Sequence, residues 1–214
     1  MNIHGKFNDY LFGLHYARKC GRFRRENQYV RPGQLVLLGD SLMELWMVRG
    51  EGTYPRTRWE IYNRGISADT VMGCAGRLHE SAIVLQPAVI VFLIGINDLL
   101  RKDFIPEELI ATHRSIVQTL RNSLPDCRIL VESLYPIHKG RTDPPQPTNA
   151  LIRSVNEAYR ATADEFGCDY LDVYPLLVDE NDALRHELSP DGLHVNAKGY
   201  EIVREAIEVA LGAH

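Results

Sequence analysis

The chain has 214 residues, of which 24 are Lys or Arg and 28 are Asp or Glu, so its formal net charge is −4 at pH 7. This length suits one α/β domain with a sizeable core, and we predict a single domain over residues 1–214. Neither charge sign forms an extended run, which disfavours a nucleic-acid partner, and no apolar stretch approaches the roughly 20 residues of a membrane span. The first ten residues lack the apolar segment of a secretory signal, so we expect a cytoplasmic protein, with an oligomer left open.

Helix and strand patterns alternate along the chain. Residues 1–30 are predicted to form a helical extension, with a helix over residues 7–20 packed on the body. Continuous apolar runs, typical of parallel strands covered on both faces, follow at residues 35–38, 88–94 and 128–134. Two shorter strands are predicted at residues 61–62 and 170–171.

Four helices with recognisable ends are predicted between and after these strands. Thr70 can cap a helix that runs towards Leu85, and a second helix opens at Pro106. Thr148 or Asn149 can begin the third helix, and Gly167 would end it. Residues 196–211 form an amphipathic fourth helix. Because strand and helix alternate strictly, we predict a parallel sheet with helices on both faces, and a flavodoxin-like strand order is the simplest.

A serine and a histidine stand in contexts that suit acyl transfer. Ser41 follows the first strand within Gly-Asp-Ser, and Asp191 precedes His194 by three residues. Ligands of open α/β sheets bind at the carboxyl ends of the strands, so we expect these residues to meet there. His194 could then take the hydroxyl proton of Ser41 while Asp191 orients the imidazole. Taken singly, Ser41 could be a helix cap, Asp191 a turn residue and His194 a structural histidine.

Three groups are candidate donors for an oxyanion. A tetrahedral intermediate needs hydrogen-bond donors that are fixed in advance. The backbone N–H groups of Ser41 and Gly65 and the side-chain amide of Asn97 could supply them, since each residue follows its own strand. Gly65 could equally be an ordinary turn glycine, and Asn97 an ordinary loop cap.

Together these residues resemble the SGNH (GDSL) hydrolases. The matching blocks are Gly39-Asp40-Ser41, Gly65 after Asn63-Arg64, Gly95-x-Asn97-Asp98 and Asp191-x-x-His194. Residues 63–70 and the Gly-Ile-Asn-Asp block resemble the branch of bacterial esterases and lysophospholipase-like enzymes related to the catalytic subunits of platelet-activating-factor acetylhydrolase. The resemblance implies a three-layer α/β/α sandwich with a five-stranded parallel sheet, and an acyl-enzyme formed on Ser41. It also implies oxyanion donors at Ser41, Gly65 and Asn97, and neither a metal nor another cofactor.

The expected substrate is a small acyl ester, acetyl or short-chain, of a carbohydrate or a lipid-like alcohol. Lysophospholipase or thioesterase activity is the alternative for the same site. Trp46 and Tyr135 are candidate substrate contacts, although Trp46 also fits the inner face of a helix. The proline-rich residues 138–147 are predicted to form a loop, which either walls the substrate cleft or is a surface excursion.

Two functions of other classes stay open. A metal-dependent phosphoesterase would need several ligands, and the strand ends offer only Asp40, Asn97 and Asp98. A non-catalytic binding module is the other, because a fold does not fix a function.

The four cysteines have no C-x-x-C spacing and are predicted to be free thiols. No Gly-x-Gly-x-x-Gly or P-loop pattern is present, which disfavours nucleotide binding.

Overall fold

Five parallel strands form the centre of the computed structural model, which describes residues 3–50, 52–101, 103–138 and 147–212. The strands are β1 (Leu35–Gly39), β2 (Ile61–Gly65), β3 (Val89–Leu93), β4 (Arg128–Glu132) and β5 (Asp169–Leu171). Their order in the sheet is β2-β1-β3-β4-β5, with every neighbouring pair parallel. The predicted flavodoxin-like order is therefore confirmed.

The register of the central strands places their carboxyl ends at one level. Every residue of β1 and β3 is buried, as expected of strands covered on both faces. Gly39, the last residue of β1, pairs with Gly65 on one side and with Leu93 on the other. The segments that follow these three strands consequently start from the same edge of the sheet.

Helices cover both faces of the sheet. They are α1 (Ile3–Glu26), α2 (Ser41–Glu44), α3 (Trp46–Arg49), α4 (Val71–Gly76), α5 (Leu78–Ser81), α6 (Ile96–Leu99), α7 (Pro106–Ser123), α8 (Asn149–Glu165), α9 (Tyr174–Leu177) and α10 (Ala197–Leu211). In one layer α7 packs against α4 and α8, and in the other α10 packs against α3 and α9. The three-layer α/β/α sandwich is confirmed.

Most predicted helix ends agree with the structure. Thr148, rather than Asn149, caps α8, because its side chain accepts a hydrogen bond from the Leu151 N–H at 3.1 Å. Gly167 follows that helix with a φ of 59°, a left-handed conformation that suits glycine. Asn196 caps α10. The first helix begins earlier and ends later than the predicted residues 7–20.

The continuous helix predicted from Thr70 to Leu85 is wrong. Thr70 does cap α4, accepting a hydrogen bond from the Gly73 N–H at 3.2 Å, but α4 ends at Gly76. A separate short helix and a 3₁₀ turn follow. Two glycines weaken the helix, and Arg77 leaves helical geometry (φ −121°, ψ 11°) while its side chain enters the interior of the protein.

The remaining predictions of the chain's organisation have mixed outcomes. The four cysteines are free thiols, as predicted. Of the predicted 138–147 loop, residues 139–146 lie outside the described residues, so its part in a cleft stays a prediction. Among the described helices, none combines the length and the apolar character that crossing a membrane would require.

Candidate active site

Ser41 stands at a tight junction between β1 and α2. Asp40 caps α2, and its Oδ1 accepts a hydrogen bond from the Leu42 N–H at 2.9 Å. A side chain on Gly39 would place Cβ only 2.1 Å from the carbonyl oxygen of Leu93 in β3, so this position requires glycine. The close approach of the two strands fixes the backbone that precedes Ser41.

The structure brings Ser41, His194 and Asp191 together. The Ser41 Oγ lies 2.9 Å from His194 Nε2, and His194 Nδ1 lies 2.9 Å from Asp191 Oδ2. An ionised carboxylate can only accept, so Nδ1 carries the proton and Nε2 is free to accept from the serine hydroxyl. This chain of contacts is the one that activates a serine nucleophile.

Asp191 is anchored by the turn that carries His194. Its Oδ1 accepts the backbone N–H groups of Leu193 at 3.0 Å and of His194 at 2.7 Å, and Gly192, which directly follows Asp191, has a left-handed φ of 84°. Burial opposes ionisation of Asp191, but its hydrogen bonds to the backbone and side chain of His194 outweigh burial and lower its pKa to about 2. The carboxylate is therefore charged at neutral pH.

The predicted oxyanion donors differ in their present hydrogen bonds. The Asn97 side-chain amide donates to the carbonyl oxygen of Asp69 at 2.9 Å, which leaves its second N–H for another acceptor. The Gly65 N–H donates to Asn63 Oδ1 at 2.9 Å. A side chain on Gly65 would meet the backbone nitrogen of Glu44 at 2.2 Å, so this glycine also serves close packing against α2.

A further candidate donor, Ala68, has no counterpart in the sequence reasoning. Ala68 has a φ of 62°, which is rare for a residue other than glycine, and it lies in the loop between β2 and α4. That loop is tied to the nucleophile strand, since the Ile66 N–H donates to the Gly39 carbonyl at 3.0 Å. Within the described ranges no hydrogen bond uses the Ala68 N–H. The sequence does not indicate this conformation, because alanine rarely adopts a positive φ.

Comparison with known proteins decides the family. The sequence pattern of the GDSL-like Lipase/Acylhydrolase family matches residues 37–202, more than three quarters of the chain. The chain belongs to the GDSL-like lipase/acylhydrolase family.

Individual relatives of this GDSL-like chain are distant. It is 31% identical over 107 residues to an acetylxylan esterase of Geobacillus stearothermophilus, covering 46% of this chain and 47% of that protein. It is 22% identical over 207 residues to an N-acylneuraminate cytidylyltransferase of Escherichia coli, covering 96% of this chain and 43% of that protein. The chain thus spans less than half the length of these two curated relatives.

A solved structure agrees with the fold. A protein from Streptococcus pneumonia, provisionally described as a platelet activating factor, superposes with a TM-score of 0.85 at 24% identity. The superposition covers 99% of this chain and 100% of that one. At this level of identity, the likeness concerns the fold.

A buried arginine joins the strand ends beneath the site of this GDSL-like protein. Arg77 Nε donates to Asp69 Oδ2 at 2.8 Å, and neither side chain is exposed to solvent. Its Nη2 donates to the Gly39 carbonyl at 2.8 Å and its Nη1 to the Arg64 carbonyl at 2.7 Å. One guanidinium therefore holds the ends of β1 and β2. It also holds Asp69, whose carbonyl accepts the hydrogen bond from the Asn97 amide.

Burial perturbs the pKa values of three acids, one of which, Asp40, directly precedes Ser41. Burial raises the pKa of Asp40 to about 7, that of Glu132 to about 8 and that of Asp98 to about 6. Tyr135 donates its hydroxyl to Glu132 Oε1 at 2.6 Å, whereas Asp40 Oδ2 and Glu132 Oε2 have no partner among the described residues. Asp40 and Glu132 thus favour their protonated forms at mildly acidic pH.

Trp46 and Tyr135 have the contacts of core residues. Both side chains are buried; the Trp46 ring stacks on Tyr200 with centroids 5.0 Å apart, and Tyr135 binds Glu132. These contacts give no support to substrate binding by either residue, which stays a prediction. No group of three His, Cys, Asp or Glu side chains suited to hold a metal ion occurs in the part of the chain that the structure describes.

Proposed function

We propose that this chain is a carboxylic ester hydrolase in which Ser41 is the nucleophile, His194 the base and Asp191 the orienting acid. The observation that carries the proposal is the 2.9 Å contact between Ser41 Oγ and His194 Nε2, which continues to Asp191 through Nδ1. Membership of the GDSL-like lipase/acylhydrolase family supports the same reaction class.

The reaction follows from this arrangement of donors and acceptors. As the Ser41 oxygen attacks the ester carbonyl, its proton passes to His194 Nε2, and Asp191 stabilises the imidazolium. The tetrahedral intermediate collapses, and the imidazolium gives its proton to the departing alcohol. Water, deprotonated by the same imidazole, then attacks the acyl-enzyme; the bond to the Ser41 oxygen breaks, the imidazolium returns the proton to that oxygen, and the acid leaves.

The developing oxyanion needs donors, and four are available in principle. The Ser41 N–H and the free N–H of the Asn97 amide are the first two. The Gly65 N–H, the third in our prediction, would first have to leave Asn63 Oδ1. The Ala68 N–H competes with it for this role, since Ala68 lies in the loop that follows Gly65 and its N–H is not engaged by a described hydrogen bond. Loss of one such donor costs about 3–4 kcal/mol of barrier.

We further propose that the substrate is an acetyl or short-chain ester of a carbohydrate or lipid-like alcohol. The similarity to an acetylxylan esterase supports a carbohydrate ester. Lysophospholipase and thioesterase activities are alternatives that use the same residues. A panel of p-nitrophenyl esters of increasing acyl length, together with acetylated sugars, lysophospholipids and acyl thioesters, would rank these classes by kcat/KM.

Replacement of the nucleophile tests the proposal. Ser41→Ala should lower the kcat for p-nitrophenyl acetate by about 10⁴-fold or more while the circular dichroism spectrum is unchanged. Ser67→Ala, which changes a serine in a neighbouring loop, is the matched control and should keep most of the activity. Wild-type activity in Ser41→Ala would contradict the mechanism. Hydrolysis of p-nitrophenyl phosphate that disappears with EDTA would instead favour a metal-dependent phosphoesterase.

A further inference from the structure

The last residue of α3, Arg49, contacts the acid of the triad. Its Nη1 lies 3.3 Å from Asp191 Oδ2, the same oxygen that accepts the His194 Nδ1 proton. The other carboxylate oxygen is occupied by two backbone N–H groups. The imidazole and the guanidinium therefore share one oxygen of the carboxylate.

The backbone of Arg49 is held in place by the protein core. Trp46, three residues earlier, stacks on Tyr200 of α10, and Tyr200 donates its hydroxyl to the Leu42 carbonyl at 2.7 Å. A side chain on Gly50 would meet the Trp46 ring at 2.4 Å, so the end of α3 is closely packed. Arg49 thus starts from a fixed position and reaches Asp191 with a half-exposed side chain.

A guanidinium at this oxygen affects the charge of the catalytic base. The Arg49 guanidinium is a cation, and it interacts with the same negative charge on Asp191 that would stabilise an imidazolium. It also repels the imidazolium directly. Both effects favour the neutral imidazole, which is the form that accepts the serine proton.

Two other titratable side chains lie next to Ser41 or interact electrostatically with Arg49. Asp40 directly precedes Ser41, and Tyr200 of α10 interacts electrostatically with both Asp40 and Arg49. The backbone N–H of His138 donates to the Gly192 carbonyl at 2.8 Å. Among the described ion pairs, only that with Arg49 brings a permanent cation to Asp191.

We propose that Arg49 is a positioning residue of the triad: its guanidinium holds the Asp191 carboxylate and places a positive charge beside the oxygen that accepts the hydrogen bond from His194. The proposal rests on the proposed function, because it assigns Arg49 an effect on the base of that reaction. It assigns Arg49 no direct contact with the substrate.

The pH dependence of kcat/KM for p-nitrophenyl acetate tests this role in Arg49→Gln, which keeps the length and polarity of the side chain. Without the guanidinium the imidazole protonates more readily, so the midpoint of the acid limb should rise by about 0.5 to 1 pH unit. Well below the midpoint, this equals a loss of about 3- to 10-fold relative to the wild type. Arg49→Lys retains the positive charge, so the midpoint of its acid limb should lie close to that of the wild type.

Arg160→Gln is the matched control. Arg160 also binds an aspartate oxygen, Asp172 Oδ2 at 2.7 Å, and Asp172 has the same exposure as Asp191, 40%. This pair lies by β5 rather than at the triad, so its loss should leave the midpoint unchanged. An unmoved midpoint in Arg49→Gln, with or without a lower plateau, would overturn the inference.

A second readout separates this inference from the ester hydrolase proposal. The rate at which a fluorophosphonate labels Ser41 depends on the base but not on the identity of the ester, and its acid limb should move by the same amount in Arg49→Gln. Activity that survives Ser41→Ala would refute the proposed function. An unmoved labelling profile in Arg49→Gln, with labelling still at Ser41, would refute only the role of Arg49.

Discussion

Two arginine–carboxylate pairs lie at the active edge of the sheet, and they differ in their exposure to water. Arg77 and Asp69 are both 0% exposed, and Arg77 also binds two strand-end carbonyls. Arg49 and Asp191 are 33% and 40% exposed, and they meet at 3.3 Å. The buried pair holds the backbone at the ends of β1 and β2, whereas the partly exposed pair includes Asp191 of the proposed triad. The same kind of ion pair therefore holds the backbone in one place and, in our proposal, acts on the catalytic base in the other.

The largest expected effect is on stability, from Arg77→Met. Removing the guanidinium leaves the buried Asp69 carboxylate without its partner, so the free energy of unfolding should fall by about 3–5 kcal/mol. Urea unfolding followed by tryptophan fluorescence measures the change. The double variant Arg77→Met/Asp69→Asn should recover part of the loss, because the unpaired charge is gone.

The exposed pair supplies the contrast for that experiment. Arg49→Gln should change the free energy of unfolding by less than about 1 kcal/mol, as is usual for solvent-accessible ion pairs. Equal effects of Arg77→Met and Arg49→Gln would contradict the distinction between the two pairs.

The next largest effect concerns Asn97, which links the buried pair to the reaction. Its amide binds the Asp69 carbonyl, so Asn97→Ala removes both this link and a proposed oxyanion donor. We expect kcat for p-nitrophenyl acetate to fall by about 10²- to 10³-fold, with little change in KM. Stability should fall by only about 1 kcal/mol, the usual net value of one hydrogen bond. Unchanged kcat would remove Asn97 from the donor set.

The fold was more predictable from the sequence than the surroundings of the site. Continuous apolar runs and capping residues are local signals, and they located β1, β3, β4 and most helix ends. The strand-end rule then indicated that Ser41 and His194, 153 positions apart, should approach each other. The two glycines before Arg77 only weaken a helix, and the break at Arg77 depends also on long-range contacts of that side chain, which local pattern does not contain.

The charged partners of the site could not be predicted for a related reason. Arg49 and Asp191 are separated by 142 positions, and nothing in the residues around either one indicates that they meet. The left-handed conformation of Ala68 is likewise imposed by the loop rather than by its residue type. Both features depend on tertiary structure that local pattern does not contain.

The smallest predicted effect is a pH dependence of stability that distinguishes buried from exposed acids. Burial raises the folded-state pKa of Glu132 to about 8 and of Asp40 to about 7, so the folded protein retains protons that the unfolded chain releases above pH 4–5. Stability from these groups is therefore complete only below about pH 4, is lost progressively as pH rises to 7 to 8, and changes no further above that. Asp191, with its pKa lowered to about 2, acts in the opposite sense and only below about pH 4.

Glu132→Gln measures this contribution. Urea unfolding between pH 5 and 8.5 should show a shallower decline of stability in the variant than in the wild type. Glu165→Gln is the control, because Glu165 is an exposed acid whose pKa is lowered by its hydrogen bond to Arg114, and it should retain the wild-type slope over that range. A variant slope equal to that of the wild type would show that Glu132 is ionised in the folded protein at all these values.

The most direct test of the account is the site and rate of covalent labelling by a fluorophosphonate. The account predicts that peptide mass spectrometry finds the label on Ser41, and that His194→Ala slows labelling by at least about 10³-fold while the fold is retained. Labelling of another residue, or an unchanged labelling rate in His194→Ala, would contradict the claim that His194 activates Ser41.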